Sequence, residues 1–128
     1  MEKYGLGYDV LKEIKPDLIY ACVRGFGSDS NRYKEPVYDL VIQASSGLIH
    51  TTGPADGPGY KVGSPISDMT AGIFCYASIL GALFHRERTG KGQKIEVPML
   101  DTSVAMLAYY PTSYLACDHP TDRIGNHH

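Results

Sequence analysis

Asp68 is the side chain best placed to do chemistry. It stands in Ser67-Asp68-Met69-Thr70-Ala71-Gly72, at the start of a long apolar segment. A carboxylate at a helix N-terminus lies beside unpaired backbone N–H groups, and those donors and the helix dipole favour its anion. Such a carboxylate caps its own helix or, if turned toward a cleft, attacks an activated acyl carbon. On residue type alone the cap is the ordinary outcome. Tyr38-Asp39 sets a phenol beside a carboxylate at the entrance of another helix. They could face a substrate; the ordinary outcome is a half-buried ring. Arg86, Arg88, Lys91 and Lys94 cluster positive charge. They read as an anion site for phosphate or carboxylate, or as charges suited to a helix C-terminus. Thr89–Gly92 (TGKG) lacks the GxxxxGK[ST] spacing of a phosphate loop, and Arg24–Gly27 (RGFG) is not GxGxxG. The histidines are His50, His85, His119, His127 and His128, with no HExxH among them, so no metal site is expected. Cys75 lies inside the apolar segment and reads as inert core.

The elements that would position these groups follow from pattern and punctuation. Val10, Leu11 and Ile14 sit at helical spacing over Tyr8–Ile14, and Lys15-Pro16 stops that helix. Asp17–Val23 is a short apolar strand leading to a glycine turn, one half of an α/β unit with a buried, parallel strand. Val37–Ser46 predicts a helix with Val37, Leu40, Val41 and Ala44 on one face and Gly47 as its stop. Gly53–Gly63 is a turn-rich loop. From Asp68 to about Arg88 the residues are small or apolar on most faces. That predicts a long central helix buried on nearly all sides, with close approach at Gly72, Ser78 and Gly81. Gly90 ends it. Gln93–Val97 alternates as a strand, closed by Pro98. Asp101 would cap a last apolar helix, about Thr102–Tyr110, before Pro111, with helical structure resuming over Tyr114–Cys117.

Bulk properties bound the function. A chain of 128 residues is one domain at most, and 43% hydrophobic content is globular. A net charge of −2 gives no basic field for nucleic acid or an anionic membrane. The apolar run Ala71–Phe84 is shorter than the roughly 18–20 residues of a membrane span, so no membrane is expected. Cys22, Cys75 and Cys117 are widely spaced, which favours a reducing compartment; with no visible signal peptide, the expected location is the cytoplasm.

Read together, SDMTAG followed by LGALFHRERTGKGQKIEVPMLD closely resembles the class III acyl-CoA transferase family (the CaiB/BaiF family). GLGYDVLKEIKPDLIYACVRGFG and PVYDLVIQASSGLIHTTG resemble further family segments in the same order, so the likeness covers nearly the whole chain. The resemblance implies an α/β fold, part of an open, mostly parallel Rossmann-like sheet with packed helices, including the long buried helix near Asp68. It implies that residues 1–128 are a single partial domain, without a complete second one, of a longer enzyme that forms a homodimer. The isolated chain would then be inactive, and could serve only as a CoA-binding or oligomerisation module. Asp68 matches the family's catalytic aspartate, which attacks the acyl-CoA thioester. Tyr38, Val37 and Asp39 match a CoA-contacting segment, and Lys3 loosely matches a basic residue near the CoA phosphates. The implied partners are an acyl-CoA and a carboxylic acid, with coenzyme A as substrate and no tightly bound cofactor. Racemases of this family carry histidine where this chain has Tyr38. Tyrosine, with a pKa near ~10, is a poor proton-exchange partner, so transfer is favoured over racemisation.

Overall fold

The computed structural model describes residues 1–119 and 122–127. Its frame is a pair of parallel strands, β1 (Ile19–Arg24) and β2 (Gln93–Pro98), in register from Ile19 opposite Gln93 to Arg24 opposite Pro98. Parallel strands need a crossover, and here it carries three helices. These are α2 (Asp39–Ser46), α3 (Leu48–Thr51) and α4 (Ile66–Thr89). Helix α1 (Tyr8–Ile14) precedes the sheet, and α5 (Met99–Met106) and α6 (Tyr109–Cys117) follow it. The fold is thus mixed α/β with a parallel sheet and one long helix, as expected.

Local chemistry accounts for most boundaries. Gly47 (φ 95°) ends α2 and Gly90 (φ 70°) ends α4, both in the left-handed region that glycine enters without strain. In β2, Ile95 and Val97 turn inward and join Phe26, Ile42, Ala71, Ala82 and Met99 in the core. A side chain on Gly92 would run into the backbone of Asp17 and Leu18, so glycine lets β2 enter beside the start of β1. Helix α4 packs on both strands and on α2 and α5.

The structure corrects several expectations. Helix α4 begins at Ile66, so Asp68 lies inside its first turn; its N-cap is Pro65. It is also not buried on nearly all sides. Ser67, Thr70, Ala71 and Ala82 are buried, while Met69, Ile73, Tyr76, Leu80 and Phe84 form an exposed apolar stripe. Among the described residues nothing beyond the helix itself lies within contact of Gly72 or Gly81. Two strands and two short helices cover one side of a helix that is apolar nearly all round. By length and composition this 24-residue helix, with a hydropathy of 1.4, could cross a bilayer, which the 71–84 run alone did not suggest. In α2 the inward residues are Ile42, Gln43 and Ser46; Leu40 and Val41 are exposed. Helix α5 starts directly after β2 with Pro98 as its cap, not Asp101. Its successor α6 takes Pro111 into its first turn, where a missing N–H costs no helical bond.

The bare stripe on α4 has a measurable consequence. An apolar strip of this length on an isolated 128-residue chain drives self-association. Light scattering of the isolated chain should show species larger than a monomer, and Ile73→Ser with Phe84→Ser should shift it toward monomer. A stable monomer before substitution would contradict this.

Candidate active site

The first turns of α2 and α4 lie side by side, because Asp39 of one holds the other. Asp39 Oδ1 accepts the backbone N–H of Ser67 at 2.8 Å. Pro65, the N-cap of α4, has no side-chain acceptor, so this carboxylate satisfies one of the orphan donors that begin the helix. Its other oxygen, Oδ2, accepts Gln43 Nε2 at 2.6 Å. Gln43 is wholly buried. Its Oε1 accepts the N–H of Val62 at 2.8 Å, and its Nε2 also reaches the Ser64 carbonyl at 3.4 Å. One buried amide thereby ties α2 to the loop that feeds α4.

Asp68 is consequently not the cap that residue type suggested. It is exposed, and its carboxylate has no partner among the described residues. It borders a shallow groove of about 310 Å³ together with Tyr38, Asp39, Lys61 and Ser64. Tyr38 is the N-cap of α2 in extended conformation (φ −119°, ψ 163°), which throws its ring outward. The ring is 83% exposed, not half-buried. The structure therefore brings Tyr38, Asp39 and Asp68 to one groove.

The other expected residues lie elsewhere. Val37 packs against Gly25, where any side chain would collide with it. It lines an adjacent hollow of about 300 Å³ with Arg24, Tyr33 and Lys34. Arg24 Nε stands 3.2 Å from Glu96 Oε1, but neither atom is aligned for a hydrogen bond, so the contact is an ion pair. The Arg24 guanidinium also lies 4.4 Å from the Tyr33 ring centroid. Burial, with the nearby Glu96 carboxylate, pushes the Tyr33 phenol above its ordinary pKa. Lys3 borders neither hollow; its ammonium sits 4.9 Å from the Tyr4 ring centroid, in the 3-10 turn Glu2–Tyr4.

The basic cluster does not form one site. Arg86 Nη1 reaches the Asp17 carbonyl at 3.4 Å and its carboxylate at 3.9 Å. The hydrogen bond from Lys15, outweighing slight desolvation, holds the Asp17 carboxyl below its ordinary value. Arg88 lies over the Phe84 ring. At 1.5 Å per residue, Arg86 is roughly 27 Å along α4 from Asp68. A larger hollow of about 770 Å³ lies between the Thr51–Asp56 region and His127. The groove at Asp68 is the better candidate despite its size, because there an unpartnered carboxylate at a helix start meets the fully outward phenol of Tyr38 and the Lys61 ammonium. His128 lies outside the described residues.

Sequence reasoning missed Gln43, Lys61, Ser64 and Ser67. A signal for Gln43 was present, since Asp39 and Gln43 are four apart on one helix, a spacing at which such side chains bond. Nothing local announced that Asp39 would meet an amide 28 residues away.

Comparison with known proteins gives a consistent set of likenesses. The profile of CoA-transferase family III matches residues 1–128. The succinyl-CoA:mesaconate CoA-transferase of Haloarcula hispanica is 39% identical over 132 residues, covering 100% of this chain and 33% of the relative. The acetyl-CoA:oxalate CoA-transferase of Acetobacter aceti is 41% identical over 129 residues, with the same coverage of 100% and 33%. A crystal structure of a CAIB/BAIF family protein from Brucella suis superposes with a TM-score of 0.94 at 38% identity, covering 99% of this chain and 34% of that one. The chain spans about a third of the length of the curated relatives it matches.

Proposed function

Because the chain belongs to CoA-transferase family III, we propose that it contributes the nucleophile of an enzyme that moves CoA between carboxylic acids. The observation that carries this reading is the exposed, unpartnered carboxylate of Asp68 in the groove with Tyr38. One Asp68 oxygen attacks the thioester carbonyl carbon of the donor acyl-CoA. The C–S bond breaks, CoA leaves as thiolate, and a mixed anhydride remains. The thiolate then attacks the aspartyl carbonyl, releasing the donor acid and leaving an aspartyl–CoA thioester. The acceptor carboxylate repeats the exchange in reverse, and Asp68 emerges unchanged with a new acyl-CoA. A carboxylate is a sufficient nucleophile here because a thiolate is a good leaving group.

In this reading Tyr38 and Val37 contact CoA near the thioester, and Lys3 serves the CoA phosphates. Asp39 belongs to the same segment, with its carboxylate engaged by α4 and Gln43. Coenzyme A is a substrate and no tightly bound cofactor is required. Tyr38 in place of histidine, together with relatives named as transferases, supports transfer over racemisation. Packing of α4 on both strands supports a core helix instead of a membrane span. The whole protein is read as a cytoplasmic homodimer on the family resemblance alone.

Trapping tests the reading. The whole protein, given a donor acyl-CoA and then hydroxylamine, should carry a hydroxamate on the peptide containing Asp68. Sustained turnover with that peptide unmodified and another labelled would overturn it.

A further inference from the structure

We propose that Asp39 and Gln43 are positioning residues for Asp68, a role that rests on Asp68 being the nucleophile. Helix α4 follows a turn-rich loop, and its cap, Pro65, has no side chain to fix the first turn. The Ser67 hydroxyl cannot do so either, since it is buried without a partner among the described residues. What fixes the turn is the Asp39 carboxylate on the Ser67 N–H, the amide directly before Asp68. Gln43 in turn fixes Asp39. Its amide has one orientation that works: Nε2 toward the Asp39 carboxylate and the Ser64 carbonyl, Oε1 toward the Val62 N–H. Turned over, it would set donor against donor at Val62 and oxygen against carboxylate at Asp39. Being fully buried, it has no water to offset either mismatch.

The division of labour follows directly. A carboxylate at the start of a helix is drawn into capping it. Here a carboxylate from α2 takes that place, and Asp68 stays free to react. A first turn released from Asp39 would shift Asp68 relative to the thioester, and a displacement of about 1 Å can cost on the order of 10²-fold in rate.

The test is an exchange of amide and carboxylate in the whole enzyme. Asp39→Asn sets two amide donors face to face at Gln43. Gln43→Glu sets two carboxylates face to face. In the double variant the introduced amide accepts from Ser67 and donates to the introduced carboxylate, whose second oxygen accepts from Val62. Charge and the bonds to Ser67 and Val62 are restored with their owners exchanged; the long contact to the Ser64 carbonyl at 3.4 Å alone is lost. Each single variant should lose about 10–100-fold in kcat while KM for acyl-CoA stays within about threefold, and the double variant should recover to within about fivefold of wild type. Circular dichroism and thermal melting accompany every variant. Loss in both singles without recovery in the double, tracking the melting temperature, would make the pair merely structural and overturn the proposal. So would a rise in KM with kcat unchanged, which would make Asp39 a binding residue. Asp68→Asn run in parallel separates the two readings. If it is dead while the Asp39 and Gln43 variants keep wild-type kcat, only the positioning role falls; if it turns over normally, the nucleophile itself is wrong.

Discussion

Asp68→Asn in the whole protein should lower CoA transfer by a factor on the order of 10⁴ or more and shift the melting temperature by no more than about 3 °C. The first half follows from chemistry. An amide of the same shape cannot attack a thioester, and removal of a nucleophile leaves only the contribution of binding and electrostatics. The second half follows from the structure. Asp68 is exposed, and its carboxylate has no partner among the described residues, so no native contact is lost. Surface replacements of this kind change stability by no more than about 0.5 kcal/mol. Had Asp68 been the cap of α4, Asp68→Ala would have cost about 1 kcal/mol and little activity, while Asn, itself a good cap, would have cost almost nothing. Steady-state transfer assays with thermal melting measure both. A variant that is stable and active would refute the nucleophile, and one that is unstable would refute the free carboxylate.

Ile42→Ala carries the largest expected loss of stability. Ile42 is 0% exposed, a member of the core cluster, on the helix that carries Asp39 and Gln43. Truncating such a side chain removes its burial and leaves a cavity, together about 2–5 kcal/mol. Against a typical total of about 5–15 kcal/mol this is a large fraction. Leu40, two residues away and 52% exposed, is the control: Leu40→Ala should cost less than about 1 kcal/mol. Urea denaturation of both variants measures the difference. A larger loss for Leu40→Ala than for Ile42→Ala would mean that α2 presents the face read from its apolar spacing, not the one in the structure.

That contrast marks how far the fold could be read from residues alone. Helix α1 and the stops at Gly47 and Gly90 were legible because proline and glycine act locally, through backbone sterics. Strand β2 was legible because its alternation of Lys94, Ile95, Glu96 and Val97 has one period. The inward face of α2 was not. Val37, Leu40, Val41, Ile42 and Ala44 are all apolar, so spacing admits more than one face, and the partners that decide it come from distant segments. The break between α5 and α6 was hidden for a different reason. It falls at Ala108, at φ 53° and ψ −108°, and alanine carries no signal for a positive φ. At the site, family resemblance singled out Asp68 and Tyr38. The bond from Ser67 to Asp39 and the buried amide behind it were beyond reach, because they are tertiary contacts between residue types that elsewhere are ordinary.

The parallel pairing of β1 with β2 also sets an order of events during synthesis. Ile19 finds its partner only when Gln93 has emerged, about 4–15 s later at ribosomal rates of roughly 5–20 residues per second. The contact between Asp39 and Ser67 spans only 28 residues. Its loop closes at an entropic cost about 0.9 kcal/mol lower than that of the sheet. Helices α2 and α4 can therefore dock while β1 still waits with an open edge. The shorter loop lets the Asp68 groove form ahead of the sheet on the nascent chain, and the interval before the sheet closes is the one in which an open strand edge is exposed to mispairing.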